Sequence, residues 1–255
     1  MRPDTSRWRS PSTYDYLDDL VAADLAWEWL RRNADYQRDY AEVKHPDADR
    51  ERLTNMVRMR WGLRFPCRPN FSASETAVFW APGADPSTVM LTTTPPLAGL
   101  ENFVPPLNPR NAQLGPEGLS IVHGEGDAAI RLLLLGDARP DQPLAALVVL
   151  DADGLDRIEA ITRLWRALHH RPGSPDTRLT AQRGRRLRHM LQAVDGRMNG
   201  ASNREIAKVI YGAPRVAADP WKTSALRDST KRLIKDGLAM IAGNYRKLLR
   251  HRRKS

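Results

Sequence analysis

The segment GASNREIAKVIYG, residues 200–212, begins and ends on glycine and encloses a single helix of about two and a half turns. Ser202 and Glu205 stand at the spacing of a capping box, in which the hydroxyl accepts from the Glu205 amide and the carboxylate accepts from the Ser202 amide. Ile206, Val209 and Ile210 share one face with Ala207 at its edge, while Arg204 and Lys208 lie on the other. Gly212 suits the left-handed conformation that ends a helix. So short a helix does not persist alone. Its apolar face must be buried by the helices on either side.

Both neighbours are legible. Upstream, Thr180 caps a helix expected over 180–194, with Leu187, Met190, Leu191 and Val194 as its buried stripe and Arg183, Arg185, Arg186 and Arg188 around the rest. Downstream, after the turn APRVAA, Asp219 as cap and Pro220 at the first helical position open a helix expected over 221–241. Leu226, Leu233, Ile234, Leu238 and Ile241 face inward. Ser224, Asp228, Lys231, Arg232 and Lys235 occupy the opposite side, with Arg227 on the border. Gly237 and Gly243 mark where this helix breaks before resuming at NYRKLL. A capped short helix, a turn of about eight residues and a longer helix with outward cations follow the helix-turn-helix plan, with a longer turn than usual.

The remaining chain divides in two. Residues 1–66 read as helical: Tyr14, Leu17, Leu20 and Val21 share a face, Asp24 caps LAWEWLRR with Trp27, Leu30 and Ala34 as its seam and Trp29 off it, and a helix at 50–59 buries Leu53, Met56 and Val57. Core packing accounts for these tryptophans better than base stacking. Residues 67–153 hold short β-rich runs: TAVFW (76–80), STVMLTT (87–93), LSIVH (119–123), AIRLLLL (129–135) and LAALVVL (144–150). The loop GDARPDQP between the last two predicts an antiparallel hairpin, and residues 94–118 a long irregular connection. HGEGD (123–127) brings together a His, a Glu and an Asp, but two loop glycines explain it equally well and no converging metal ligands are signalled.

From residue 154 the helical period returns in LDRIEAITRLWRALHH, with Leu155, Ile158, Ile161, Leu164, Trp165 and Leu168 as the apolar stripe, and RPGSP (171–175) as a hinge. His169 and His170 point different ways and suit the negative end of that helix. The expected fold is therefore α+β: an N-terminal helical domain (1–66), a small central antiparallel sheet (67–153) with one face covered, and a C-terminal helix-turn-helix bundle (154–255).

Charge distribution narrows the function. Residues 171–255 carry 21 Lys/Arg against 6 Asp/Glu, a net of +15, whereas residues 1–170 carry 19 against 24. A basic last third joined to a mildly acidic remainder points to a polyanion such as nucleic acid. The longest apolar run, residues 130–135, contains Arg131 and is far below the roughly 18 residues of a membrane span. MRPDTSRWRS lacks the apolar core of a secretory signal, and the lone Cys67 excludes an internal disulfide framework. No nucleophile–base pair, phosphate loop or carboxylate cluster has a telling spacing. The expectation is a cytoplasmic, nucleoid-associated protein without enzymatic chemistry, cofactor or metal.

RGRRLRHMLQAVDGRMNGASNREIAKVIYG followed by DPWKTSALRDSTKRLIKDGLAMIAGNYRKLLR resembles the C-terminal DNA-binding domain of a proteobacterial regulator family. Its members include excision and transfer activators of integrative and conjugative elements and a hexameric activator of type VI secretion genes. RWRSPSTYDYLDDL with AWEWLRRNADYQRDY resembles the transcriptional-regulator-like domain that commonly precedes it. The resemblance implies an activator that binds promoter DNA and self-associates, and it supports Arg204, Lys208, Trp221, Lys222, Thr223, Ser224, Arg227 and Lys231 as the region meeting DNA or a partner. Shorter members act as antiactivators that bind the activator instead of DNA.

The resulting expectation is a sequence-specific DNA-binding transcriptional regulator, an activator of conjugative-element transfer or secretion genes. Its candidate DNA contacts are Arg204, Lys208, Lys222, Thr223, Ser224, Arg227, Lys231 and Arg232. Partners would be promoter duplex and further copies of the chain, with RNA polymerase or an antiactivator protein in addition. The front RPDTSRWR and the tail RHRRKS add cations suited to nonspecific phosphate contact. The alternative is a protein-interaction module whose basic domain meets an acidic protein.

Overall fold

The computed structural model describes residues 1–45, 49–95, 103–172, 178–218 and 220–250. Asp219 of the expected cap, residues 173–175 of the expected hinge, residues 96–102 of the irregular connection and the tail beyond Arg250 lie outside the described residues. The chain folds as α+β, with N-terminal helices, a central five-stranded sheet and a C-terminal helical region.

A 3-10 segment, Pro11–Asp19, opens the chain and buries Tyr14 and Leu17, the i, i+3 pair that a three-residue turn aligns. Three helices follow: α1 (Ala22–Leu30), α2 (Ala34–Val43) and α3 (Arg50–Trp61). Asp24 does not cap α1. The helix starts three residues earlier, at Ala22 after Val21, and Asp24 instead pairs with Arg131 of the sheet. The seam read through Ala34 crosses a helix boundary, because Asn33 accepts from the Asp35 and Tyr36 amides and starts α2. Trp8, Trp27, Trp29, Trp61 and Trp80 are all buried. The indole N–H groups of three find acceptors: Trp27 at Phe71 O (3.0 Å), Trp61 at Asp39 Oδ2 (2.7 Å) and Trp80 at Ala23 O (3.1 Å).

The sheet has order β2-β3-β4-β1-β5, built from β1 (Val89–Thr93), β2 (Pro109–Gly115), β3 (Gly118–His123), β4 (Ile130–Leu135) and β5 (Leu144–Leu147). It is mixed: β1 and β4 pair in parallel, the other three ladders are antiparallel. The expected β4–β5 hairpin does not form. β1 slots between the two strands, and the loop after β4 is long enough to step across it. A hairpin forms instead between β2, inside the stretch read as irregular, and β3, the expected LSIVH strand, and Gly118 (φ +132°) closes it where a Cβ would fall 1.9 Å from Leu134 O. TAVFW is not a strand; only Trp80 bridges, to Leu63. The run instead supplies Val78, Phe79 and Trp80 to the core and a carbonyl, Val78 O, to Arg131 Nε at 2.7 Å.

Helix α4 (Gly154–Leu168) covers one sheet face through Ala160, Leu164, Ile161 and Leu168. Part of its expected stripe faces outward: Leu155, Ile158 and Trp165 are exposed. The C-terminal helices are α5 (Ala181–Met198), α6 (Asn203–Tyr211), α7 (Ala213–Ala217), α8 (Ala225–Ala239) and α9 (Arg246–Leu249), with a π-helical turn, Met240–Asn244, before α9. α5 runs past the expected end at Val194 and buries Asp195 within it. The break expected near Gly237 comes later, at Gly243 (φ +138°). Gly237 lies buried inside α8, where α5 approaches so closely that a Cβ would meet Val194 Cγ2 at 2.4 Å.

One hydrophobic core holds both ends of the chain. Trp27, Trp29, Leu30, Tyr36 and Trp61 share it with Leu191, Val194, Ile206, Ile234, Tyr245 and Leu248. Tyr245 donates to Trp61 O (3.1 Å), Asn33 donates to Ile241 O (2.9 Å), and buried Arg178 donates to Asp85 (3.2 Å) and Leu249 O (3.0 Å). Among the described residues no helix is long and apolar enough to cross a membrane.

Candidate nucleic-acid interface

The short helix α6 is built as its residues dictate. Ser202 Oγ accepts from the Glu205 amide (3.3 Å), and Glu205 Oε2 accepts from the Ser202 amide (2.8 Å) and hydroxyl (2.7 Å). The Ser202 amide and hydroxyl hold the Glu205 carboxyl below its usual range. Ile206 and Ala207 are fully buried, Val209 and Ile210 partly, while Arg204 and Lys208 are exposed. α7 occupies the stretch expected to be a plain turn and buries Val216 beneath it. Proline at its start and an apolar residue on its inner side make a short helix the cheaper connection.

α8 starts at Ala225, four residues after the expected start at Trp221, because Ser224 caps it: Ser224 Oγ accepts from the Leu226 amide at 3.2 Å. Ser224 is buried in that role, so its hydroxyl does not stand with the outward residues. Lys222 and Thr223 are exposed in the turn just before it, and Thr223 donates to Pro220 O. Thr230, Leu233, Ile234 and Gly237 form the buried face of α8; Asp228, Lys231, Arg232 and Lys235 form the exposed one. Arg227 sits half-buried at the border, Nη1 donating to Lys222 O (3.2 Å). Lys235, left out of the candidate set, belongs with Lys231 and Arg232 by this geometry.

The arginines of the basic region divide by whether the fold occupies them. Arg186 pairs with Asp236 (2.5 Å) and ties α5 to α8, and Arg188 pairs with Asp15 and Asp18 (2.6 Å to the latter) and ties α5 to the 3-10 segment. Among the described residues, no acid forms an ion pair with Lys208, Lys222, Lys231, Arg232 or Lys235. A ridge of outward donors on a helix of about 22 Å is what a major groove and its phosphates accept.

His123 Nδ1 accepts from the Asn108 amide (3.2 Å), and burial lowers its pKa. Burial pushes the Cys67 thiol up to about 12, which keeps it protonated. Among the described residues no three His, Cys, Asp or Glu side chains converge on a cation site.

Residues 147–250, from the end of β5 through α9, match the family model described as T6SS, transcription factor, DNA binding domain. The C-terminal region is a domain of this family. Residues 7–66 match the proteobacterial transcriptional regulator-like domain. No curated protein matches the chain. Both matched domains are transcription-factor domains and neither belongs to an enzyme family. The chain is thus a DNA-binding transcriptional regulator whose two family domains share one core.

Proposed function

We propose that this transcription-factor chain is a sequence-specific activator of type VI secretion or conjugative-element transfer genes. It docks α8 in the major groove of promoter DNA. Arg227 and Lys231 make groove and phosphate contacts, Lys222, Thr223 and Arg232 flank them, and Arg204 and Lys208 on α6 hold the adjoining backbone. Ser224 serves by capping α8. The observation that carries this reading is the exposed cationic face of α8, where Lys231, Arg232 and Lys235 form no ion pair among the described residues, within the region matched to a DNA-binding domain. The same reading places the protein on the nucleoid.

Self-association fits the same picture, because symmetric oligomers read paired half-sites. Its support is an outward apolar stripe on α4 (Leu155, Ile158 and Trp165, 48–62% exposed) beside the short open edge strand β5, where Leu147 is also exposed. RNA polymerase or an antiactivator would bind the assembled regulator. A gel shift on candidate promoters with random competitor DNA tests the reading. A shifted band that survives competitor supports it. Absence of any shift, with retention of an acidic protein partner instead, favours the protein-interaction module.

A further inference from the structure

Residues 1–10 lie against the end of the bundle that carries α6. Trp8 is the pin. Its ring is 1% exposed and rests on Gly196, where a Cβ would meet Trp8 Cε3 at 2.9 Å and Ile206 Cγ1 at 3.0 Å. Around it the backbone is held by neutral side chains from α5 and its C-cap: Gln192 Nε2 donates to Trp8 O (2.9 Å), and Asn199 Nδ2 donates to Thr5 O (2.9 Å) and Thr5 Oγ1 (2.8 Å).

Two arginines flank this pin. Arg7 and Arg9 are both exposed. The Arg9 guanidinium lies over the Trp8 ring, 4.5 Å from its centroid, and 3.8 Å from the Glu205 carboxylate at the start of α6. Arg197 and Arg204 are exposed at the same helix start, with Arg197 Nη2 donating to Asn203 Oδ1 (2.7 Å). An arginine of the regulator-like domain thus meets the exposed Glu205 carboxylate of the DNA-binding domain, and Lys208 also lowers the pKa of that carboxylate. A loose, solvent-exposed pair such as Arg9–Glu205 exchanges readily for a phosphate, which the guanidinium fork grips through two parallel hydrogen bonds.

We propose that residues 1–10 form an arm of the DNA interface, in which Arg7 and Arg9 bind phosphates flanking the groove entered by α8. The inference rests on the DNA-binding reading above and extends it: the regulator-like domain contributes directly to the duplex contact. Trp8 sets the position of the arm, and the arginines supply sequence-independent affinity.

The test is fluorescence anisotropy of the full chain on a labelled random-sequence duplex across a salt series. It compares wild type with the Arg7→Gln/Arg9→Gln pair, the Arg7→Lys/Arg9→Lys pair and Lys231→Ala. Each lost phosphate contact lowers the slope of log affinity against log salt by about 0.9, so the Gln pair should lower it by roughly 2 while the Lys pair preserves it. An unchanged slope for the Gln pair, with Lys231→Ala lowering it, overturns the arm alone. A reduction in both the Gln and Lys pairs also overturns it, since the charge is then not the cause. A reduction in the Gln pair with none in Lys231→Ala supports the arm and counts against the α8 reading. Wild type that does not bind the duplex overturns both.

Discussion

Arg32 and Asp195 grip each other through two parallel hydrogen bonds, Nε to Oδ1 at 2.7 Å and Nη2 to Oδ2 at 2.8 Å, with both side chains buried. Residue 32 belongs to the regulator-like domain and residue 195 to the DNA-binding domain. Tyr14 donates to the same Asp195 Oδ2 (2.8 Å), and Arg32 also reaches Glu28, which accepts from Arg31 and Tyr16 as well. A fully bonded ionic network at a domain junction specifies one docking geometry, because each partner left alone would be an uncompensated buried charge.

Arg32→Ala should therefore destabilise the protein by about 3–5 kcal/mol. Replacing Arg32 and Asp195 together by Met and Leu should cost less than either single loss, since no charge is then stranded. Urea unfolding followed by tryptophan fluorescence measures both. Wild type should unfold in one transition, as the shared core requires. Two separated transitions would contradict that core.

Glycines in two helices should respond with opposite signs. Gly237→Ala drives a methyl into Val194 Cγ2 (2.4 Å) and Met190 O (3.1 Å), an overpacking that costs about 1–3 kcal/mol. Gly184 on α5 has nothing within 4 Å of its missing Cβ, so Gly184→Ala should stabilise by about 0.5–1 kcal/mol. Thermal melts of the two variants check the pair.

Acid should weaken the fold through two glutamates. Burial alone would raise the Glu28 carboxyl, but the Arg31 and Arg32 guanidiniums beside it outweigh burial and leave it below the usual 4.5. Glu205 is also lowered, by the Ser202 amide and hydroxyl. For a carboxyl lowered on folding, stabilisation is complete above the unfolded value and is lost as pH falls through the folded one. The urea midpoint should hold near neutrality and decline below about pH 4.5, and Glu205→Gln should decline less steeply. A midpoint that rises on acidification would contradict these assignments.

On the DNA face, the two kinds of contact separate by sequence dependence. Lys231→Ala should weaken binding about equally on all duplexes and lower the salt slope by about 1. Arg227→Ala should cost about 1–3 kcal/mol at one base position if its fork reads a base edge. Titrations on a set of single-base variants of a bound site distinguish them. A unit change in slope for Arg227→Ala without base preference would make it a phosphate contact.

What could be read from the chain was what local periodicity encodes. The Ser202–Glu205 capping box, the Leu187, Met190, Leu191 and Val194 stripe, and the outward cations of α8 all follow from spacings within a few residues. Long-range choices did not. The parallel β1–β4 pairing inserts a strand from residues 89–93 between two that are neighbours in sequence, and nothing local to GDARPDQP forbids a hairpin there. Ser224 looked like a donor on a polar face because its capping role depends on where the helix starts, which Asp219–Pro220 had suggested was earlier. Arg32 and Asp195 lie 163 residues apart. Their pairing becomes visible only when both ends of the chain enter one core.

The most direct measurement is a competition titration of the full chain at physiological salt, a promoter fragment against bulk random duplex. The account predicts a preference of at least about a thousandfold for the promoter site, abolished on replacing Arg227 and Lys231 together. Equal affinity for both DNAs, or binding that survives the double replacement unchanged, would contradict it.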